Sequence, residues 1–193
     1  MEFKPSIWKE EKPPVGASDY EKCEVCTPKS RIIWGEGNPK SSVVIILDNP
    51  GAREDKDGNE YVCGTRATLQ TALNNVGLSQ NEVYITYLLK CRPLRKYDKA
   101  AAYNFSKPFL VKQIFDISPK FLVCLGDTVV KYMFDDADAS VKDMRGKWHR
   151  LMGADTIVSY HPLAVRRRPN LSKNFEFDFQ MLIQRFNSEK ADK

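Results

Sequence analysis

The run Val43-Val-Ile-Ile-Leu47 constrains what this chain can fold into more than any other stretch. Five aliphatic, mostly β-branched residues without a polar break read as a strand buried on both faces. Such strands belong to sheets covered by helices on two sides, so the run predicts an α/β protein with a parallel sheet. It stops at Asp48, Asn49, Pro50 and Gly51, which turn the backbone and cannot continue a central strand. In open parallel sheets, ligands bind just beyond the carboxyl ends of the strands. Two polar side chains leaving a buried strand there make a candidate site, although an ordinary strand-to-loop turn would carry the same tetrapeptide.

The rest of the chain supplies the partners that such a strand needs. Thr65 to Val76 reads as a helix with Leu69, Ala72, Leu73 and Val76 on one face and Gly77 past its end. Glu82 to Leu89 is a second strand, Phe121 to Leu125 a third and Thr156 to Tyr160 a fourth. Helices are expected in Ala100 to Phe115, where Pro108 blurs the start, from Gly126 to about Phe134, and from Asn170 to Phe186. The aromatic stripe Phe175, Phe179 and Phe186 reads as core. Strands alternating with helices imply right-handed crossovers. An N-terminal arm over residues 1–20, rich in proline and pinned by Trp8, one domain over 21–187 and a tail over 188–193 are expected.

A chain of 193 residues with 42% hydrophobic and 28% charged residues suits one soluble domain with a core of its own. No apolar run approaches the ~20 residues of a membrane span, and Met1 to Val15 lacks the apolar core of a secretory signal. A cytoplasmic monomer is the expectation. A net charge of +5 permits a polyanionic partner without identifying one. Without a signal, the five cysteines suggest thiols or metal ligands rather than disulfides. Cys124 lies in an apolar run and reads as core, whereas Cys23 and Cys26 form a C-x2-C pair.

Several landmarks follow one another in a telling order. They are Cys23-x2-Cys26, Leu47-Asp-Asn-Pro-Gly51, Glu54-Asp55 with Gly58, and Tyr61-Val62. Then come Val83-Tyr-Ile-Thr-Tyr87, Lys90-Cys-Arg-Pro93, Leu125-Gly126, Arg145-Gly146, and Tyr160-His-Pro162 followed by arginines. From about Cys23 to Phe186 the ordered set resembles the iron–sulfur (family 4) uracil-DNA glycosylases. The resemblance implies a three-layer α/β/α fold around a four-stranded parallel sheet. It also implies hydrolysis of the bond joining uracil to deoxyribose in DNA, a step of base-excision repair.

The resemblance assigns roles. Asp48 and Asn49 would position the attacking water and stabilise the cationic sugar, and His161 would donate a hydrogen bond to the departing base. Pro50 and Gly51 complete that motif beside the base. Tyr61 would stack on a base flipped from the duplex, and Arg166, Arg167 and Arg168 would meet phosphates. Three departures stand out. The family's first motif is usually G-E-A-P-G; Asn49 here resembles the N-P-G of mismatch-specific relatives. Tyr87 stands where an asparagine reads the uracil edge, so either Tyr87 reshapes the pocket or another residue reads the base. Ser106 stands at the fourth ligand position of a [4Fe–4S] cluster whose other ligands would be Cys23, Cys26 and Cys91. A cluster closed by serine, zinc on three thiolates, and a metal-free corner all stay open. A catalytically silent relative that grips single-stranded or damaged DNA is the alternative reading. Cleavage of free nucleosides is a third.

Overall fold

The computed structural model of the chain describes residues 3–15, 17, 20, 30–56, 61–94 and 96–191. Val43–Leu47 forms strand β2 with every residue buried, behind a short strand β1 at Gly35–Gly37. Helix α1 (Gly64–Asn75), strand β3 (Val83–Tyr87), helix α2 (Lys99–Ile117) and strand β4 (Phe121–Leu125) follow. Then come α3 (Asp127–Met133), α4 (Val141–Met144), β5 (His149–Leu151), β6 (Ala154–Ser159), α5 (Pro162–Arg167) and α6 (Ser172–Ala191). All four strands expected from the sequence are present, within a few residues at their ends.

The sheet order is β1-β3-β2-β4-β6-β5. β2 sits at the centre, parallel to β3 and β4, with Ile45 level with Ile85 and Val123, and β6 runs parallel on the far side of β4. The expected four-stranded sheet is therefore corrected to a mixed sheet of six. β1 pairs antiparallel with β3, and β5 antiparallel with β6. Both are three-residue edge strands held by backbone bonds. Gly35-Glu-Gly37 has no apolar alternation to betray it, and its composition reads as a turn.

Alternation along β2 splits the core in two. Val43, Ile45 and Leu47 pack with Leu69 and Leu73 of α1 and Phe175 and Phe179 of α6. Val44 and Ile46 pack with Leu110 and Ile114 of α2 and Val129 and Val130 of α3. Truncating such a buried isoleucine to alanine typically costs about 2–5 kcal/mol. α1 ends as its sequence predicts. Gly77 takes a positive φ of 78°, its N–H reaches Asn74 O, and Leu78 N reaches Leu73 O, which closes a Schellman motif. α2 runs unbroken through Pro108, because Asp98 caps its start and Leu110 and Ile114 bury its later turns. The arm is clipped down rather than loose. Trp8 is buried, Glu10 bridges to Glu36 of β1, and the Gln70 amide exchanges two hydrogen bonds with Ser6. Among the described residues no helix is long and apolar enough to cross a membrane.

Candidate active site

β2 and β6 end at the same edge of the sheet with β4 between them, and the chain delivers one polar side chain just after each. Asp48 leaves β2, and His161 follows β6 as the residue that caps α5. His161 Nδ1 accepts a hydrogen bond from Leu163 N at 3.1 Å, so the ring proton belongs on Nε2. Nε2 lies 3.2 Å from Asp48 Oδ1 and donates to it. Gly126, at φ 94°, makes room for this contact: a Cβ there would lie 3.0 Å from His161 Cβ.

Burial pushes the Asp48 carboxyl upward, but the hydrogen bond and charge of His161 and the N–H of Asn49 at 2.9 Å outweigh it. Asp48 therefore sits below its ordinary value and is a carboxylate at neutral pH. Asn49 Nδ2 donates to Pro50 O at 2.8 Å. Its Oδ1 makes no protein hydrogen bond among the described residues and remains to accept one. Asp48, Asn49, Gly51, Tyr87 and His161 line a common cavity of about 280 Å³, and Pro50 is buried behind it.

Arg66 lines the same cavity, and also the adjoining one where Tyr61, Val62 and Trp8 lie. Tyr61 is 70% exposed at that second mouth, one cavity away from Asp48. Arg66 Nη1 pairs with Glu36 and donates to the Tyr87 hydroxyl at 3.1 Å. Tyr87 in turn donates to Glu36 at 3.2 Å. Tyr87 is buried at the cavity wall, and its hydroxyl is spent within the protein. Sequence reasoning had not marked Arg66, Glu36 or the cavity-lining Glu54 as site residues. One signal was available for Arg66: positions 66, 69 and 73 share a helix face, so a charge sits in register with the apolar stripe.

Arg166, Arg167 and Arg168 are exposed at the end of α5, on the helix that His161 begins. The Arg166 guanidinium reaches the start of α1, 3.1 Å from where a Cβ on Gly64 would stand.

The cysteine corner divides. Cys23 and Cys26 lie outside the described residues. Cys91 is buried and disulfide-bonded, which corrects the expectation of a thiol or metal ligand there, Cys63 is free at the start of α1, and Cys124 is a buried core thiol whose burial pushes it up to about 12. Ser106 is buried too. Its hydroxyl donates to Leu88 O and meets the Tyr20 hydroxyl at 2.8 Å, while Tyr20 accepts from Lys90 N at 2.6 Å. A serine ligand would need that proton removed and that bond to Leu88 broken. The Ser106 found here is a hydrogen-bonding hydroxyl, which does not fit the anionic fourth ligand of a cluster.

Comparison with known proteins identifies the family. A family model described as the uracil DNA glycosylase superfamily matches residues 34–184. The chain is 31% identical over 169 residues to a type-4 uracil-DNA glycosylase of Archaeoglobus fulgidus, covering 83% of this chain and 85% of that protein. It is 32% identical over 186 residues to the type-4 uracil-DNA glycosylase of Saccharolobus solfataricus, covering 90% and 86%. The corresponding protein of Sulfurisphaera tokodaii is 32% identical over 171 residues, covering 84% and 78%. With the family model spanning most of the chain and relatives above 30% identity, this chain belongs to the uracil-DNA glycosylase superfamily.

Proposed function

We propose that this protein is a monofunctional DNA glycosylase that hydrolyses the N-glycosidic bond of uracil in DNA. The observation that carries the reading is the ionised Asp48 bonded to His161 across the ends of β2 and β6, with Asn49 beside it. Cleavage sends the electron pair of the C1′–N bond onto the departing base and leaves cationic character on the sugar. Asp48 faces that cation and takes a proton from the water that bonds to C1′. Asn49 Oδ1, left open by the bond of Nδ2 to Pro50, holds the water in line. His161 Nε2–H turns from Asp48 to the base carbonyl as charge develops there.

The remaining assignments follow from position. Tyr61, exposed at the neighbouring cavity, suits stacking on a flipped base, and the arginines after His161 suit phosphates. The four parallel strands with helices on both faces suit the family's three-layer arrangement, with residues 1–20 as an arm on a single domain. For the cysteine corner we favour a structural role resting on hydrogen bonds such as those of Ser106.

An oligonucleotide carrying one uracil tests the reading: free uracil is released, and alkali then cuts the strand at the abasic site. Asn49→Ala should lower kcat by about 100-fold or more while DNA affinity stays within about threefold, because a water-holding group acts mostly in the transition state. No release from single- or double-stranded substrate would overturn the proposal.

A further inference from the structure

Arg66 is 3% exposed, yet two of its three guanidinium nitrogens, Nε and Nη2, have no hydrogen-bond partner. Nη1 alone is engaged, by Glu36 and Tyr87. Nε–H and the neighbouring Nη2–H lie along one edge of the guanidinium and point the same way, the fork with which arginine grips acceptors. Leaving a buried donor unmet is costly, and more so for a charged group. Folds seldom carry such a cost without a reason. The buried Glu36 carboxylate and the Trp8 ring explain a cation at this position, but they leave the Nε and Nη2 donors unmet.

Arg66 belongs to the walls of both cavities, the one with Asp48 and His161 and the one with Tyr61. A base drawn past Tyr61 toward Asp48 passes it. The neighbour that might otherwise read that base cannot, because the Tyr87 hydroxyl already donates to Glu36 and accepts from Arg66. A guanidinium donates only and never accepts.

We propose that Arg66 reads the pairing edge of the base, donating from Nε and Nη2 to its C4 carbonyl, and so admits uracil and rejects cytosine. The inference rests on the glycosylase reading above. Uracil presents an acceptor at C4 and completes the fork. Cytosine presents an amino group there, so that donors face donors across a desolvated contact. A site built to bond one group rejects the analogue lacking it far better than a hydrophobic pocket can. His161 is left the carbonyl nearer the sugar.

The test uses the intact protein and oligonucleotides carrying one uracil, 4-thiouracil or cytosine. Sulfur accepts hydrogen bonds weakly, so the wild type should release 4-thiouracil about tenfold or more slowly than uracil, and cytosine not measurably. Arg66→Met should lower kcat/KM for uracil by about 100-fold and shrink the sulfur penalty to about twofold or less, with abasic-DNA affinity within about threefold. Arg66→Lys keeps a cation against Glu36 but loses the fork. It carries the test should Arg66→Met not fold, and its sulfur penalty should fall below that of the wild type. An unchanged sulfur penalty in a folded variant, or uracil release by Arg66→Met within about threefold of wild type, would overturn the inference and leave the glycosylase reading standing. A wild type that releases no uracil would overturn both.

Discussion

Two buried cations flank the end of β3, and the protein treats them in opposite ways. Lys90 is fully buried, and burial holds its ammonium well below the ordinary value. Its Nζ is ringed by the Thr86 hydroxyl, the Gln113 side-chain oxygen and the Trp34 carbonyl. The Gln113 amide then bonds Trp34 O and the Tyr84 hydroxyl, so that network closes on itself. Arg66, across the sheet, has Glu36 and Tyr87 on one nitrogen and nothing on the other two. Thr86 and Tyr87 are successive residues of one strand and so face opposite sides. A closed network rigidifies a core, whereas an open one beside a cavity keeps donors for a ligand.

The comparison breaks most visibly on its closed side. Gln113→Leu leaves Lys90, Thr86 and Trp34 short of partners and should cost about 2–4 kcal/mol. By calorimetry that lowers Tm by roughly 5–15 °C. The folded fraction should still release uracil within about threefold of wild type, the reverse of what Arg66→Met does. Comparable loss of activity at permissive temperature would mean that the two networks are one.

Ser106 supplies a smaller test of the same idea. Ser106→Ala removes the donor to Leu88 O and the contact with Tyr20, for about 1–2 kcal/mol in denaturant melts. Ser106→Cys supplies a thiol at the position of the fourth ligand, so anaerobically purified, reduced Ser106→Cys should hold more iron than wild type by metal analysis. Equal iron in both would mean that residue 106 does not decide cluster binding.

The smallest effect concerns the Asp48–His161 pair. Asp48 sits below its ordinary 3.8 in the folded protein, so its contribution to stability is present above the unfolded value and lost as pH falls through the folded one. The acid limb of kcat/KM should accordingly fall below pH 3.8. His161→Phe removes the bond and charge that oppose burial, and the limb should move up by about one pH unit. A limb that stays in place would remove His161 as the cause of the shift.

Much of this protein is written locally in its sequence. Val43 to Leu47 could only be a doubly buried strand, Gly77 ends α1 as a left-handed residue must, and Phe175 and Phe179 were core by spacing alone. Asp48 and His161 were legible because polar residues following buried strands collect at one edge of a parallel sheet. Other features were decided only when the chain closed. β1 and β5 exist through backbone pairing, which composition does not record. Whether Pro108 would end α2 depended on the packing of Leu110 and Ile114. That the Tyr87 hydroxyl is consumed, that Arg66 keeps an open fork and that Ser106 binds a carbonyl follow from neighbours many positions away. Periodicity and turn chemistry act over a few residues and can be read along a line. Whether a buried donor is met depends on distances between segments, and only the tertiary structure sets those.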